Sequence, residues 1–412
     1  MRARTGSVTP GAAWTAVGTF EEWCLARIRQ ALAGASLRVQ LWDGRSIRLS
    51  DHLPVATVVV RDRWTLVRLL VDSDVAFGEA YARGRIEVQG DLVAALETID
   101  RACAGRPFQR RRPRARPIAP GASRHNVHTH YDLGNQFYRL WLDDQLLYTC
   151  AYFAHPGMTL EEAQRAKMEH VCRKLRLRPG DRVVEAGCGW GALALHMARQ
   201  YGVIVRAYNI SANQLAYARD RAAREGLDDR VTFIDGDYRS IEGPADAFVS
   251  VGMLEHVGRH NYADLGRAIA RVIDPARGRG LLHFIGRNAP LELSAWIDKH
   301  VFPGAYPPAL SEVLPDVLEA SRLSLIDVEN LRLHYARTLA CWHARFEDHV
   351  DEVRAMFDDA FVRTWRLYLA GSEAAFLAGD MQLFQVVFGR PLDNDQPWTR
   401  QDWYEPHADA VL

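Results

Sequence analysis

The sequence predicts an α/β protein: a doubly wound sheet preceded by a small N-terminal α+β domain. From about residue 160, short apolar strand patterns alternate with amphipathic helix patterns, which is typical of a parallel sheet covered on both faces. One of these strands ends in an acid and runs into a glycine-rich turn, as nucleotide-binding strands do. An arginine- and proline-rich stretch separates this region from a shorter one with a different pattern.

Composition narrows the classes of protein to consider. With 412 residues, of which 48% are hydrophobic, the chain can fill two or three domains. Its formal net charge of zero gives no whole-molecule attraction to nucleic acid. The six cysteines form no C-x-x-C pair, so neither a metal site nor a redox dithiol is expected, and a reducing cytosol fits them. No apolar run is long enough to span a bilayer, and MRARTGSVTPGAAW lacks the apolar core of a signal peptide.

Residues 20–104 predict the small α+β domain. Helix patterns occupy FEEWCLARIRQALAG and RWTLVRLLVD, and ATVVV is a strand pattern. LRVQLWDGRSIRLS predicts a hairpin, because Asp43-Gly44 supplies the positive φ of its turn. Nothing here suggests chemistry, so a structural or docking module is favoured.

Residues 105–123, GRPFQRRRPRARPIAPGAS, predict a linker to a larger second domain at 124–395. Proline blocks a regular helix there. The stretch is either a solvated tether or an attractor of anionic lipid, at about 1 kcal/mol per arginine near a membrane. A nucleic-acid arm would need an aromatic platform, which the neighbouring sequence does not offer. Charge alone does not choose between these roles.

The sequence of this second domain predicts an ordered series of elements. Thr159 with Glu162, and Ser211 with Gln214, fit capping boxes at two helix starts. Strands are expected at DRVVEAG, VIVRAYN, RVTFID, DAFVSVG and GLLHFIG, with helices GALALHMARQY, SANQLAYARDRAAREG and NYADLGRAIARVID between them. The C-terminal part is mostly helical and closes with the strand QLFQVVF.

The central motif is VVEAGCGWG, residues 183–191. Its glycines let the backbone approach a ligand closely, but their spacing differs from the phosphate-binding G-x-G-x-x-G. The E-x-G-x-G-x-G form suits S-adenosylmethionine (SAM), which has no phosphate, with Glu185 near its cationic amino group. An ordinary tight turn is the less favoured alternative, so the motif indicates a Rossmann-like, methyltransferase-type fold.

Eight ordered blocks carry a more specific signal: HYDLGNQFYRLWLD, LLYTCAYF, EAGCGWG, NISANQ, SVGMLEHVG, LLHFIG, WIDKHVFPG and QLFQVVF. From about residue 125 to 390 the chain resembles the cyclopropane-fatty-acyl-phospholipid synthases and, more broadly, the mycolic acid cyclopropane synthases. The N-terminal module resembles the small extra domain of the phospholipid-acting members. The resemblance implies a SAM-dependent methyltransferase fold and transfer of a methylene from SAM to a cis double bond of a phospholipid acyl chain, with bound bicarbonate as base.

The resemblance also implies the site residues. Bicarbonate would be held by Glu255, His283, Tyr335 and the backbones of Cys150 and Ile285. The expected SAM contacts are Tyr148, Thr149, Glu185, Gly187, Cys188, Gly189, Trp190, Gly191, Asn209, Ser211, Gln214, Tyr238 and Arg239. Position supports Glu255, which follows a predicted strand end, where open α/β sheets place their sites. By pattern alone, His283 inside a strand would be a core histidine.

The chemistry explains these residue types. An alkene is a weak nucleophile, so positioning carries much of the catalysis. Attack on the methyl leaves a carbocation that water would trap, so the site must be dry. Aromatic faces stabilise cations without adding to them, and the candidates are Tyr131, Phe137, Tyr148, Tyr152 and Phe153, each with ordinary packing as the alternative. Ring closure then needs a base.

Cys150 lies between aromatic residues and could be a nucleophile, a disulfide partner, a metal ligand or a small packing residue. The resemblance favours a backbone role for it. A family cysteine once suspected as a nucleophile aligns with Ser372, which argues against covalent catalysis at that position. Glu185 stands in place of the usual aspartate, and Asn209 in place of the usual threonine.

The expected partner is a membrane phospholipid with unsaturated acyl chains, met by peripheral contact with the anionic inner membrane from the cytoplasm. A homodimer is one expected assembly, and nucleic acid is not an expected partner. Residues 291–308 place Trp296, Phe302 and Tyr306 in a loop-rich segment, which is either a lipid-touching lid or ordinary packing.

Three rival functions remain at this point. Hydride shift and reduction would give a methyl-branched acyl chain instead of a ring, although the retained Glu255, His283 and Tyr335 favour the ring. A non-catalytic lipid- or SAM-binding protein is a rival of another class. A small-molecule methyltransferase fits the linker and the extra domain poorly.

Overall fold

The computed structural model describes residues 19–104 and 133–404. Residues 19–104, here called the N-terminal unit, contain a four-stranded sheet in the order β2-β1-β3-β4. Its strands are Leu37–Leu41 (β1), Ser46–Arg48 (β2), Ala56–Val60 (β3) and Ile86–Gly90 (β4). Its helices are Phe20–Ala31 (α1), Arg63–Val71 (α2), Ser73–Ala82 (α3) and Leu92–Cys103 (α4). The predicted hairpin forms, with Gly44 at a φ of 88°.

The second sheet has seven strands in the order β10-β11-β9-β8-β5-β6-β7. Their bounds are Arg182–Ala186 (β5), Ile204–Asn209 (β6), Val231–Asp235 (β7), Ala247–Val251 (β8), Arg279–Arg287 (β9), Ser324–Asn330 (β10) and Met381–Gly389 (β11). Strands β5 to β9 pair in parallel, which confirms the α/β prediction. Strand β11 is antiparallel to both β9 and β10, and β10 is an edge strand that the sequence analysis did not predict.

Helices cover this sheet. Their bounds are Asn135–Arg139 (α5), Leu160–Leu175 (α6), Ala192–Tyr201 (α7), Ala212–Arg224 (α8), Tyr262–Val272 (α9), Ala295–His300 (α10), Leu310–Val313 (α11), Arg332–Asp348 (α12), Val350–Met356 (α13), Asp359–Ala378 (α14) and Gln401–Tyr404 (α15). Short 3-10 turns span Tyr238–Ser240, Leu254–His256, Arg259–Asn261 and Glu319–Ser321, and a π turn spans Leu314–Leu318.

The two predicted capping boxes have different outcomes. Thr159 and Glu162 form both reciprocal hydrogen bonds at the start of α6. Ser211 accepts a hydrogen bond from the Gln214 backbone N–H, but the Gln214 side chain instead accepts one from Asn209 at 2.8 Å. The second prediction is therefore only half right, because a side chain from the end of β6 competes for the glutamine.

The N-terminal unit packs directly against the second sheet's helices. Asp74 on α3 accepts hydrogen bonds from the Ser294 hydroxyl at 2.6 Å and the Ala295 N–H at 2.7 Å, at the start of α10. Gly78 on α3 lies so close to Trp296 that a Cβ atom there would be 2.2 Å from the indole nitrogen. Arg363 on α14 donates to the carbonyl of Ile86 at 2.8 Å. These contacts hold α3 against α10 and α14.

The predicted linker at 105–123 lies outside the described residues, so the domain boundaries at 104 and 124 stay predictions. Tyr131 also lies outside them. Within 19–104 and 133–404, no helix is both long and apolar enough to cross a membrane.

Candidate active site

Two adjoining cavities open at the carboxyl ends of the parallel strands. The smaller has a volume of about 150 Å³ and the larger about 280 Å³. Both are lined by Tyr148, Thr149, Gly252 and His256, so these four residues form their junction. The junction lies where β5 and β8 are neighbours and the strand order reverses, which is the position where open α/β sheets bind their ligands.

The glycine loop after β5 forms part of the smaller cavity. Gly187, Gly189 and Gly191 all have positive φ angles, which explains the alternate glycines of the motif. At Gly189 an added Cβ would meet nothing within 4 Å, so the backbone there faces open space. At Gly191 it would come within 2.6 Å of the Phe233 ring, so this glycine allows α7 to pack closely against β7.

Glu185 is the buried acid of the smaller cavity. Only 3% of its surface is exposed, and its Oε2 atom has no hydrogen-bond partner in the described part of the chain. Burial raises the pKa of Glu185 to about 8, although the charge of Lys167 acts in the opposite direction. A buried carboxyl group with an unpartnered oxygen favours a cationic ligand, because a positive charge beside it restores its ionised form.

Lys167 on α6 also lines the smaller cavity, and the sequence analysis did not predict it. Its Nζ donates to the Thr149 hydroxyl at 2.7 Å, and burial lowers its pKa to about 8. In an amphipathic helix pattern a lysine is assigned to the solvent face, so no local signal could have found it. Asp237, another unpredicted polar residue of this wall, follows the end of β7 and could have been found by the strand-end rule.

Asn209 connects the end of β6 to the glycine loop. Its amide donates to the Gly189 carbonyl at 3.2 Å and to Gln214, while its oxygen accepts from the Ile210 N–H at 2.8 Å. The asparagine that departs from the family pattern therefore holds the loop in place as well as lining the cavity.

Most of the predicted SAM contacts lie together around the smaller cavity. Its wall includes Tyr148, Thr149, Glu185, Gly187, Cys188, Gly189, Trp190, Asn209, Gln214, Tyr238 and Arg239. Two predicted contacts do not line it: Gly191 faces Phe233, and Ser211 caps α8. Both act on the loop and helix behind the wall.

The larger cavity is mostly apolar. Its apolar wall includes residues from α3, α4, α10, α12 and α14 and from the turn after α10, namely Phe77, Leu96, Trp296, Ile297, Phe302, Leu339, Leu367, Ala375 and Phe376. Its polar wall includes Glu255, His283, Arg287, Tyr335, Ser372 and Asp380. The N-terminal unit therefore contributes part of this wall, which the sequence analysis missed when it found no chemistry in residues 20–104.

Glu255 and His283 come to the larger cavity from neighbouring strands. Glu255 lies in the 3-10 turn after β8, and its Oε1 accepts a hydrogen bond from the Ile285 N–H at 2.6 Å. Burial raises the pKa of Glu255 to about 7. Burial, with the nearby charges of Lys167 and Lys174, lowers the pKa of His283 well below its ordinary value. Glu255 Oε2 and His283 Nε2 are both buried without a hydrogen-bond partner among the described residues.

Three other predicted base-site residues are placed differently. Tyr335 lines the larger cavity and packs against Trp342 and Phe376. Ile285 also lines it, but its N–H donates to Glu255, so this donor positions the carboxylate and is not free for an anion. Cys150 lines neither cavity; its Sγ contacts the Ala151 carbonyl at 3.2 Å, and burial raises its thiol pKa. A buried, protonated thiol is a poor nucleophile.

Of the aromatic candidates within the described residues, only Tyr148 lines a cavity. Phe137 packs among rings that include Trp141 and Trp365, and Tyr152 stacks on His170 and His334. Phe153 lies under the Arg337 guanidinium. Ordinary packing explains these three, whereas the residues that do line the larger cavity come from distant helices.

The segment 291–308 is part of the site's wall. Trp296 is buried against Gly78, and both Trp296 and Phe302 line the larger cavity. The Tyr306 hydroxyl instead donates to Glu312 at 2.8 Å.

Comparison with known proteins identifies the family. Residues 120–386 match the family model described as mycolic acid cyclopropane synthetase, and residues 25–103 match a domain of unknown function. A probable fatty acid methyltransferase of Pseudomonas putida is 37% identical, over 89% of this chain and 96% of that protein. The cyclopropane-fatty-acyl-phospholipid synthase of Escherichia coli K12 is 40% identical, over 64% of this chain and 68% of that protein.

A solved structure supports the same assignment. Mycolic acid cyclopropane synthase CmaA1, complexed with SAH and CTAB, superimposes with a TM-score of 0.62 at 29% identity, covering 65% of this chain and 98% of that one. The fold is therefore that of a SAM-dependent methyltransferase, as the glycine loop predicted. The chain belongs to the mycolic acid cyclopropane synthetase family.

Proposed function

We propose that the protein transfers a methylene from SAM to the cis double bond of an unsaturated phospholipid acyl chain, which gives a cyclopropane. The observation that carries this proposal is the junction of two cavities: one contains the buried Glu185, whose Oε2 can accept from a cationic ligand, and the other contains the buried Glu255 and His283. The similarity to the Escherichia coli synthase supports it over two thirds of that protein.

The smaller cavity would hold SAM. Bound SAM supplies a methyl group on a positively charged sulfur. Glu185 Oε2 is a free acceptor for a cationic amino group, and the loop at Gly189 leaves room for close backbone approach. Lys167 holds Thr149 at the junction, where the two ligands would meet. Restricting both ligands to this junction supplies the in-line geometry that a weak alkene nucleophile needs.

The larger cavity would hold the acyl chain. Its apolar wall excludes water, which would otherwise trap the carbocation formed when the alkene attacks the methyl. The rings of Tyr148, Phe302, Tyr335 and Tyr368 line the same space and can stabilise this cation through their faces. Closing the ring then requires loss of one proton from the transferred carbon.

Glu255 and His283 would hold a bicarbonate ion near that proton. Bound bicarbonate supplies a base at this position. The ion carries both a hydroxyl donor and oxygen acceptors, and the two unpartnered atoms match it: Glu255 Oε2 accepts and a protonated His283 Nε2 donates. Tyr335 lines the same cavity and adds a hydroxyl group. Burying Glu255 Oε2 and His283 Nε2 without hydrogen-bond partners lowers the stability of the fold. A ligand that hydrogen-bonds to both atoms would offset this loss.

We also propose that the lipid comes from the anionic inner membrane, reached from the cytoplasm by peripheral contact through the arginine-rich stretch 105–123, and that the chain acts alone or as a homodimer. Sedimentation with vesicles of phosphatidylglycerol against vesicles of phosphatidylcholine, across a salt series, tests the membrane contact. Binding that does not depend on lipid charge or salt would contradict it.

The second candidate product is a methyl-branched acyl chain, because the Pseudomonas putida relative is named a probable fatty acid methyltransferase. Both products share the first step, attack of the alkene on the methyl. They differ after that step: ring closure only loses a proton from the transferred carbon, whereas the saturated branched product also needs a hydride from a separate reductant. A base site at Glu255 and His283 is sufficient for the ring and therefore favours it.

The test is mass spectrometry of lipids from a host that lacks cyclopropane fatty acids and expresses the chain. A gain of one CH2 on unsaturated chains with ring-specific fragmentation is expected. Glu255→Gln should abolish this gain, whereas the matched control Glu242→Gln, at an exposed loop position, should not. A gain of CH2 with two further hydrogens, or a methyl-branch fragmentation pattern, would assign the second product. Unchanged lipids with SAM binding intact would reject both.

A further inference from the structure

His283 has a second contact behind the cavity wall. Its Nδ1 atom lies 3.0 Å from Nε2 of Gln385, which is its direct partner across the antiparallel pair of β9 and β11. Gln385 is also the cross-strand partner of Glu329 on β10. Directly paired residues point to the same face of a sheet, so Glu329, Gln385 and His283 form one row across three neighbouring strands.

Lys174 on α6 decides which way the Gln385 amide points. Its Nζ lies 2.7 Å from Gln385 Oε1, and both side chains are completely buried. An ammonium group only donates hydrogen bonds, so the amide oxygen must face Lys174. The amide NH2 group then faces His283, and since it also only donates, His283 Nδ1 must accept.

Glu329 favours the charged, donating form of Lys174. Its Oε2 lies 2.5 Å from Lys174 Nζ and 2.7 Å from His170 Nε2, and its Oε1 accepts from the Tyr404 hydroxyl at 3.0 Å. Burial lowers the pKa of Lys174, and Glu329 opposes that shift. The contacts of His170 and Lys174 lower the pKa of Glu329 even though burial acts in the opposite direction, so the carboxylate stays ionised.

We propose that Lys174 and Gln385 are positioning residues that fix His283 as the neutral tautomer with its proton on Nε2. Because Nδ1 accepts from Gln385, the single ring proton lies on the nitrogen that faces the larger cavity. His283 is then a hydrogen-bond donor at the site and not the base. This use of the donor rests on the proposed function, whereas the tautomer itself depends only on the buried row of side chains.

The proposal explains why the polar row is buried at all. A neutral imidazole with a free Nδ1 could place its proton on either nitrogen, and the molecules with the proton on Nδ1 would present an acceptor to the cavity. Glu255 Oε2, an acceptor when ionised, lines the same cavity. Two acceptors could not hold one anion, so a fixed Nε2–H keeps the pair complementary to a bound oxyanion.

The first test is the tautomer, read from nitrogen-15 NMR of the full chain labelled at histidine. His283→Asn identifies the His283 signals among the 15 histidines. We expect a protonated Nε2 and an unprotonated Nδ1 across pH 6 to 9. A proton on Nδ1 in the unmodified protein would overturn the proposal.

Two variants perturb the row at different points. Gln385→Glu places a carboxylate at His283 Nδ1, which should draw the ring proton to Nδ1. Lys174→Met leaves the Gln385 amide able to rotate, which should replace the single-tautomer signal of His283 by a mixture. Gln382→Glu makes the same change on the same strand but on the opposite face, so it should leave the His283 signals unchanged. Unchanged His283 signals in both Gln385→Glu and Lys174→Met would also overturn the proposal. If Lys174→Met does not fold, Gln385→Glu decides alone.

The second test separates positioning from the proposed function. In both variants kcat on unsaturated phospholipid should fall at least tenfold, while KM and the affinity for SAM stay the same. The pH profile of kcat should also change, since Lys167, Lys174, His170 and Glu329 all act on His283. The expected tautomer without any activity on lipid would reject the proposed function and leave the positioning inference standing. Full activity with a reversed tautomer would reject the inference alone.

Discussion

Replacing Glu255 by glutamine should make the protein more stable and inactive at the same time. Glutamine keeps the shape of the side chain, and its oxygen can still accept the hydrogen bond from the Ile285 N–H. The substitution removes an ionisable carboxyl group. Burial raises the pKa of this group from 4.5 to about 7. In the unfolded chain this group ionises near its ordinary value, so between these two pH values the folded state binds more protons than the unfolded state.

The direction and magnitude of the change in stability with pH follow from that difference in bound protons. Stability of the unmodified protein should fall as pH rises from about 4.5 to about 7, because ionisation favours the unfolded chain. Each pH unit by which the pKa is raised corresponds to about 1.4 kcal/mol, so a pKa raised from 4.5 to about 7 lowers the free energy of unfolding by about 3 kcal/mol. This loss is complete near pH 8, where the folded protein is also ionised. Glutamine does not titrate, so Glu255→Gln should gain about 3 kcal/mol relative to the unmodified protein between pH 4 and pH 8.

The assay is urea unfolding of both proteins at several pH values in bicarbonate-free buffer, so that the proposed anion is absent. Other titrating groups, such as Asp143 and Glu185, cancel in the difference between the two proteins. A difference in the free energy of unfolding that stays constant from pH 4 to pH 8 would refute the reasoning. It would mean that Glu255 keeps an ordinary pKa and is not the desolvated acid that the structure shows.

Three further predictions follow from the same structure. Glu185→Gln should weaken SAM binding about 10- to 100-fold in calorimetry, because a hydrogen bond to a charged group contributes about 1.5–3 kcal/mol, and an unchanged Kd would place the SAM amino group elsewhere. Gly78→Ala should push Trp296 into the larger cavity and lower kcat/KM for phospholipid at least tenfold with the Kd for SAM unchanged; a loss of SAM affinity instead would point to general disruption. Gly191→Ala should lower the free energy of unfolding by more than about 1 kcal/mol, since its positive φ and its contact with Phe233 both oppose a side chain; unaltered urea midpoints would contradict this.

Much of the fold was accessible from sequence because its signals are local. The strand-turn-helix around Gly187 and the Thr159–Glu162 capping box each depend on a few adjacent residues, and both formed as predicted. The edge strand β10 was missed because SLIDVEN carries two acids and shows only a weak strand pattern. Its place in the sheet is decided by pairing with β11, which lies far away in the sequence.

The site residues show the same difference between local and long-range signals. The glycine loop and the turn that carries Glu255 were predicted from motifs at strand ends, whereas no local sequence pattern distinguishes Lys167, Lys174 and Gln385. A buried lysine in α6 looks like a solvent-facing one until its partners on three other elements are in place. The same is true of Gly78, whose role in the cavity wall depends on α10, more than two hundred residues later.

Strand β11 is the last strand of the described chain, yet it lies inside the sheet, between β9 and β10. During synthesis on the ribosome, β9 and β10 therefore leave the exit tunnel before β11. Each keeps an unpaired edge until Met381–Gly389 has been made. Exposed edges of this kind invite pairing with other chains. A nascent chain stalled before Gln385 would already have a complete glycine loop but would lack the amide that contacts His283 Nδ1, so the loop side of the site can form before the His283 side.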